Sequence, residues 1–239
     1  MRQFETMVMA ERIAGYELGS KNSRKMNGKR IEERRIIVQE KFKHVYRFKV
    51  TLNYIKPAIW RSIEVPENYS FWDLHVAIQD AMGWLDYHLH QFLIKEPRTG
   101  RELIIGIPLE TMFGDDLQII PGWKEDIANF FNMGNRRALY EYDFGDGWEH
   151  RVLLQEIKPA EKDQEYPRCV SGKRACPPED CGGPGGYQNL IETIGDPEDP
   201  DYEDIKMWLG EDYDPDYFDP EDVIFDNPQE RLRRVLENL

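Results

Sequence analysis

A two-residue alternation of apolar and polar side chains, beginning at residue 45, constrains the fold of this chain more than any other feature. Residues 45–52 read Val-Tyr-Arg-Phe-Lys-Val-Thr-Leu, so that Phe48, Val50 and Leu52 are separated by polar positions. This spacing is typical of a β-strand with one buried and one exposed face. A second strand is predicted at residues 59–65, so the chain is expected to be organised around a β-sheet.

The rest of the chain predicts one helix inside the sheet region and several helices after it. Ser70 is placed to cap a helix, Asp73 follows three residues later, and Gly83 is placed to end it. The Gly-Asp-Gly run at residues 145–147 predicts a hairpin turn. The other expected elements are strands at 90–94, 103–107, 138–144 and 148–157, a short helix near 123–131, and helices at 188–194, 202–209 and 228–239. This order predicts an α+β fold, with a mostly antiparallel sheet and packed helices.

Composition indicates one main domain with two flanking segments. The predicted units are a basic N-terminal extension at 1–43, an α+β domain at 44–226 with a cysteine loop at 166–187 and an acidic tail at 196–226, and a C-terminal helix at 227–239. Up to His44 the chain has eleven Lys and Arg residues against six Asp and Glu. The acidic tail has fourteen acids and a single base, Lys206.

Charge and cysteine usage restrict the classes of partner. The net charge of −14 argues against a protein that coats nucleic acid or anionic membrane. The sequence has no run of about 18 apolar residues, so no membrane span is expected. The N-terminal residues contain no apolar stretch of signal-peptide length, so export is not expected. Three cysteines are an odd number for a disulfide framework, and a cytoplasmic location is therefore expected. Nucleic-acid contact through residues 1–43 remains an alternative.

The three cysteines form the most specific chemical pattern. Cys169, Cys176 and Cys181 lie within thirteen residues, in a segment rich in Gly and Pro. Three thiolates and one imidazole make the tetrahedral shell that Zn²⁺ prefers, which predicts a structural zinc site with His150 as the fourth ligand. The other candidates for that ligand are Asp180, Glu179 and His90. Reduced thiols without metal and a disulfide between two of them are the alternatives.

A second group of chemically capable residues surrounds the predicted hairpin turn. Asp143, Glu149 and His150 flank this turn, and Asp143 and His150 are expected to approach each other across the strands. Such a pair fits a carboxylate that orients a metal-bound histidine, or an acid–base pair. His88 and His90 are two residues apart and are expected to share one side of a strand, where a metal pair or ordinary packing would explain them.

Five short motifs together resemble a known family. In chain order they are Pro-Ala-Ile-Trp-Arg at 57–61, Ala-Met-Gly-Trp at 81–84, His-Leu-His-Gln-Phe at 88–92, Tyr-Asp-Phe-Gly-Asp at 142–146 followed by His150, and Cys-Pro-Pro-Glu-Asp-Cys-Gly-Gly-Pro at 176–184. The combination resembles the plasmid Orf-three-like family, first named from an Ri plasmid and also known as a passenger protein of insertion elements. The resemblance spans about residues 45–218. It implies a compact α+β domain of uncharacterised activity, with a shared site at Asp143, His150 and the cysteine loop.

These observations favour a zinc-stabilised interaction module associated with mobile elements. It would bind an unknown protein partner through the sheet face and the acidic tail, and a closed shell of Cys169, Cys176, Cys181 and His150 would distinguish it. The alternative is a metal-dependent hydrolase, whose metal would keep an open coordination position. Its candidate catalytic residues are Asp143, Glu149, His150, His88 and His90.

Overall fold

A computed structural model of the chain describes residues 42–108, 119–210 and 212–237. Nearly all of the basic extension at 1–43, with its expected nucleic-acid contacts, falls outside these ranges. Inside them the chain forms an eight-stranded sheet and four α-helices, which confirms the predicted α+β class and the mostly antiparallel sheet. No helix of these ranges is long and apolar enough to cross a membrane.

The sheet has the strand order β5-β4-β3-β6-β7-β1-β2-β8. The strands are β1 His44–Leu52, β2 Trp60–Pro66, β3 His90–Lys95, β4 Glu102–Gly106, β5 Ile119–Pro121, β6 Arg137–Tyr142, β7 Trp148–Pro159 and β8 Arg168–Lys173. All neighbouring pairs are antiparallel except β4 and β5. The predicted hairpin joins β6 to β7, and its register places Tyr140 opposite His150 and Tyr142 opposite Trp148.

Helix α1, Phe71–Met82, begins and ends where its capping residues predict. The Ser70 side chain accepts a hydrogen bond from the Asp73 amide while the Asp73 side chain accepts one from the Ser70 amide, and Gly83 ends the helix with φ of 93°. Every residue of the helix except Asp80 is buried. The helix therefore lies between the sheet and the C-terminal helix α4, Pro228–Leu236, whose Val235 packs with Trp72.

The cysteine segment is more regular than the loop that the sequence predicts. Residues 168–173 form β8, which pairs with β2 at the sheet edge and places Cys169 opposite Ile63. Helix α2, Gly183–Ile194, begins five residues earlier than its predicted start at 188 because Pro184 is compatible with a first helical turn. Helix α3, Tyr202–Leu209, has its predicted bounds.

The two faces of the sheet differ in burial. Phe48, Val50 and Leu52 are buried on the face that α1 covers, whereas Lys49 and Thr51 alternate with them and are partly exposed on the opposite face. Two short 3₁₀ turns, Gly122–Lys124 and Ile127–Asn129, stand in place of the helix predicted near 123–131. The packed side of the sheet therefore contains the core.

Candidate metal site

Three segments that are distant in the sequence meet at one end of the sheet. His88 precedes β3, Asp143 begins the turn between β6 and β7, and Asp180 lies shortly before α2. One ligand atom from each of these side chains lies within 4.8 Å of the other two. An imidazole nitrogen with carboxylate oxygens is a donor set that Zn²⁺ and other first-row divalent ions accept. The group thus has the composition of a metal site.

Backbone geometry positions the two aspartates. Asp143 and Asp180 have φ of 54° and 56°, in the left-handed region that Asp tolerates better than most residues. The Asp143 Oδ1 atom accepts hydrogen bonds from the amides of Gly145 at 2.9 Å and Asp146 at 3.2 Å. These two bonds fix the Asp143 carboxylate with its second oxygen, Oδ2, near His88.

The hairpin turn also packs directly against the cysteine segment. The Gly182 amide donates a hydrogen bond of 3.0 Å to Asp146 Oδ2. A Cβ at Gly183 would lie only 2.2 Å from the Asp146 carbonyl oxygen, so this approach requires glycine. The Trp84 indole donates to the Pro177 carbonyl at 2.8 Å. These contacts bring Asp180 to the end of the sheet where His88 and Asp143 lie.

His88 is the central side chain of this group. Its Nε2 atom lies 3.2 Å from Asp180 Oδ1, 3.5 Å from Asp143 Oδ2 and 3.8 Å from Glu179 Oε2. The side chain is only 10% exposed, and Nε2 has no hydrogen-bond partner among the described residues. A buried polar atom without a partner costs about 1–3 kcal/mol. The ring therefore directs an unsatisfied nitrogen at a space bordered by carboxylates.

Glu179 borders this space and is held in place from the other side. Its Oε1 atom accepts hydrogen bonds from the Leu85 amide at 2.8 Å and from the Tyr142 hydroxyl at 3.0 Å. Burial raises the pKa of Glu179 despite these bonds. Burial, with the nearby Glu179 charge, also raises the pKa of the Tyr142 hydroxyl. Asp143, Glu179 and Asp180 thus concentrate negative charge around one imidazole, which is an environment that a cation would stabilise.

A second group of similar composition, His75, Asp86 and His90, lies in the core. His75 Nε2 lies 2.9 Å from Asp86 Oδ1, and His75 Nδ1 lies 2.8 Å from the Tyr140 hydroxyl. The His75 and His90 rings are stacked, with centroids 3.4 Å apart and planes 8° apart. Lone pairs of an imidazole lie in the ring plane, so two parallel rings do not direct them at one ion. His75 thus forms a buried hydrogen-bonded network, while His90 stacks on it and its Nδ1 atom has no hydrogen-bond partner among the described residues.

Two of the three cysteines, Cys169 and Cys176, lie close to a buried arginine. Arg61 is 1% exposed. Its positive charge favours the thiolate forms of Cys169 and Cys176 and so acts to lower the pKa of both. Its Nε atom donates to the Ala81 carbonyl at 2.8 Å, and its guanidinium lies 3.7 Å from the centre of the Phe218 ring. Burial nevertheless dominates, and it raises the pKa of Cys169 to about 11.

The other two thiols also have a pKa above that of an exposed cysteine, so they stay protonated to higher pH. Burial raises the pKa of Cys181 to about 12 and raises that of Cys176 as well. All three cysteines are free and partly buried. Among the described residues, no set of three or more ligand atoms within 4.8 Å includes a cysteine or His150. The zinc site of Cys169, Cys176, Cys181 and His150 stays a prediction.

His150 and Glu149 lie apart from the group around His88. His150 is fully buried, its Nδ1 atom lies 3.4 Å from the Tyr140 carbonyl oxygen, and burial lowers its pKa to about 3. Glu149 accepts a hydrogen bond of 2.9 Å from the Tyr54 hydroxyl. Of the five candidate catalytic residues, the structure therefore brings His88 and Asp143 together, and places His90 in the core, where its ring stacks on His75.

The sequence predicts Asp180 and Glu179 only as alternative zinc ligands, and it does not predict that they approach His88. The sequence gives little indication of this approach, because His88 and Asp180 are separated by about half of the domain and only the tertiary fold brings them together. His75 gave no signal, since a single His on a helix is common, and Arg61 appears only as the last residue of the motif at 57–61.

Comparisons with known proteins agree with the motifs. A family model described as plasmid pRiA4b ORF-3-like protein matches residues 44–222. The uncharacterised protein y4hQ of Sinorhizobium fredii is 36% identical over 164 residues, which cover 69% of this chain and 80% of that protein. The crystal structure of MM3350, a protein of unknown function from Methanosarcina mazei, has a TM-score of 0.72 and 48% identity. It covers 77% of this chain and 100% of its own.

Proposed function

This chain belongs to the plasmid pRiA4b ORF-3-like family, and we propose that it is a metal-stabilised binding module whose divalent ion is held by His88, Asp143 and Asp180. The ion would join the end of β6 to the segment that carries the cysteines. That segment has few apolar side chains between residues 174 and 182, so a metal bond would add to the few hydrogen bonds that hold it.

The observation that carries the proposal is the unsatisfied Nε2 atom of His88. The side chain is nine-tenths buried and borders three carboxylates at 3.2–3.8 Å. A protonated imidazolium would be the competing explanation, because it would form ion pairs with the same carboxylates. The two explanations differ in what they bind: only the first predicts uptake of a metal ion.

The donor set also indicates which ions to test. One imidazole nitrogen and two carboxylates suit Zn²⁺, Mn²⁺ and Co²⁺ better than soft ions, which prefer thiolates. Three protein ligands leave at least one coordination position for water or an exogenous group. The Asp180 side chain is 66% exposed, so the ion would be reachable from solvent.

Metal binding is tested by calorimetric titration of chelator-treated protein with Zn²⁺ and Mn²⁺. We expect one ion per chain, with affinity reduced about 100-fold in His88→Gln and Asp143→Asn. Asn at position 143 keeps an oxygen that can accept the two amide hydrogen bonds, so that variant removes charge while preserving the turn.

His44→Gln and Asp204→Asn are the matched controls, because His44 pairs with Glu67 at the surface and Asp204 lies on the exposed side of α3. Both should bind metal as the wild-type chain does. Cys176→Ser should do so as well. Loss of the metal in Cys176→Ser, with normal binding by His88→Gln, would instead support the predicted zinc site of the cysteines.

Metal-dependent hydrolysis is a second candidate, and Glu179 favours it. Its carboxylate borders the His88 nitrogen at 3.8 Å, where it would reach a water bound to the ion and act as a general base. The test uses p-nitrophenyl acetate and p-nitrophenyl phosphate as probes. Glu179→Gln should keep the metal and lose hydrolysis, whereas a metal-loaded wild-type chain that hydrolyses neither probe would contradict this candidate for both ester classes.

A further inference from the structure

The face of the sheet opposite α1, which we call the outer face, is basic and apolar at its centre. Its central bases are Lys49, Arg137 and Arg151, and its central leucines are Leu93, Leu139 and Leu153. Strand register makes these six residues neighbours: Lys49 and Arg137 both lie opposite Leu153, and Arg151 and Leu93 both lie opposite Leu139. None of them is buried.

The three bases of the outer face lack carboxylate partners within the described part of the chain. No ion pair joins Lys49, Arg137 or Arg151 to an acid there, although Lys49 lies over the Trp60 ring at 4.2 Å. Two acids on this face, Glu141 and Glu149, lie opposite each other. They are hydrogen-bonded to Gln91 and Tyr54. An unpaired basic patch is unexpected in a chain with a net charge of −14.

Helix α3 has the complementary character. Met207 and Trp208 are 77% and 53% exposed, and they are large apolar side chains that would ordinarily be covered. Glu203 and Asp204 precede them by four residues each, so every exposed apolar side chain has an acid one turn earlier on the same side of the helix.

The rest of the acidic tail around α3 also combines acidic residues with exposed apolar side chains. Tyr217 and Ile224 farther along the acidic tail are 57% and 83% exposed. Lys206 is the only base among residues 196–226, which contain fourteen acids. The tail therefore exposes an acidic surface with apolar side chains within it, and the outer face exposes a basic surface with leucines within it.

We propose that the outer face of one copy of this chain binds the acidic surface of α3 on a second copy. Opposite charges would orient the two surfaces, and burial of Met207 and Trp208 against Leu139 and Leu153 would supply apolar contact. The two surfaces are different, so the contact is head-to-tail. Contacts of this kind build closed rings or open filaments, not two-fold dimers.

The proposal is independent of the metal site, because His88, Asp143 and Asp180 lie on neither surface. It is tested by sedimentation velocity of the full chain at several concentrations, at about 50 mM and about 500 mM salt. Added salt shortens the screening length to less than about 10 Å, so it should weaken association. We expect assemblies larger than a monomer at low salt, which dissociate as salt is raised.

Variants that reverse the charges of the two surfaces test the proposal most directly. Arg137→Glu with Arg151→Glu should weaken self-association at least about tenfold, as should Glu203→Lys with Asp204→Lys. Mixing these two double variants should restore a hetero-association, since each then carries the complement of the other. One chain with all four substitutions should self-associate again.

Arg101→Glu and Glu165→Lys are the control reversals, because both residues are exposed and lie on neither surface. They should associate as the wild-type chain does. A wild-type chain that remains monomeric at low salt would overturn the proposal. So would assemblies that persist in both double variants, or variants that fail to associate when mixed although each is folded by circular dichroism.

Discussion

Two groups of His and Asp residues in this protein each bring three ligand atoms within 4.8 Å of one another, yet the geometry and the surroundings of the two groups differ. His75, Asp86 and His90 lie in the core, where His75 has hydrogen-bond partners on both ring nitrogens. His88, Asp143 and Asp180 lie at the end of the sheet, where the His88 Nε2 atom has no such partner in the described chain. Proximity of ligand types therefore does not identify a metal site. The direction of the ring nitrogens and the carboxylates that surround them distinguish the two groups: the His75 and His90 rings are parallel, whereas three carboxylates border His88 Nε2.

The group formed by His75, Asp86 and His90 should contribute to the stability of the fold and not to metal binding. Replacing His75 with Ala would leave the Asp86 carboxylate without its hydrogen-bond donor and open a cavity beneath Trp72, which lies 5.1 Å from the His75 ring. We expect the free energy of unfolding to fall by about 3–5 kcal/mol in urea denaturation. Metal affinity should not change. If stability were unaffected while metal binding was lost, the roles of the two groups would be reversed.

Acid should also destabilise the core. Burial lowers the pKa of His150 to about 3 and, together with His75, lowers that of His90 well below 6.5. Below pH 6.5 the unfolded chain therefore binds protons that the folded chain excludes, so stability falls as the pH falls.

The expected loss for each of these two histidines approaches about 1.4 kcal/mol per pH unit as the pH falls well below 6.5. Urea denaturation at pH 7.5, 6.5 and 5.5 measures it. His150→Gln should lose less unfolding free energy per pH unit below pH 6.5, and the difference from the wild-type chain should equal the contribution of one histidine. If the unfolding free energy of this variant changed with pH as it does in the wild-type chain, His150 would not remain neutral in the folded chain.

The group at the end of the sheet should act through metal affinity. His88→Gln should weaken binding of Zn²⁺ or Mn²⁺ about 100-fold, or about 2.7 kcal/mol. In the presence of a chelator its free energy of unfolding should stay within about 1 kcal/mol of the wild-type value, because His88 Nε2 makes no hydrogen bond there. A large loss of stability in chelator would make His88 a structural residue like His75.

The smallest effect is expected at the exposed ligand. Asp180→Asn should weaken metal binding only about tenfold, because 66% of the Asp180 side chain is open to water, which can replace a lost ligand. Asn also tolerates the left-handed backbone at this position, where φ is 56°. The affinity is measured by the same titration. An effect as large as that of His88→Gln would place Asp180 among the dominant ligands.

Local sequence patterns predicted most of the fold. The alternation at residues 45–52 and the capping of α1 by Ser70 and Gly83 agree with the structure, because they depend on neighbouring residues alone. Strand β8 was missed because its glycine and serine resemble a loop, and pairing with β2 makes it a strand. Strand β5 has three residues and a parallel partner, so it gives almost no periodic signal.

Much less of the candidate site could be predicted. His88 and Asp143 were identified one by one, but their distance depends on how β3 and β6 pair. Asp180 reaches them only because glycines at 182 and 183 let the cysteine segment approach the hairpin turn. The expected proximity of Asp143 and His150 depended on register, and the fold instead turns the His150 ring inward against Trp84. Long-range contacts of this kind leave no local signal.

The absorption spectrum of the cobalt(II)-loaded chain tests the central claim most directly, because it reports on the ligand atoms themselves. Binding at His88, Asp143 and Asp180 predicts one Co²⁺ per chain, ligand-field bands typical of nitrogen and oxygen donors, and no thiolate-to-metal charge-transfer band. His88→Gln should need about 100-fold more cobalt to show the same bands, and Cys176→Ser should show them as the wild-type chain does. A thiolate charge-transfer band that disappears in Cys176→Ser, or no bound cobalt at all, would contradict the account.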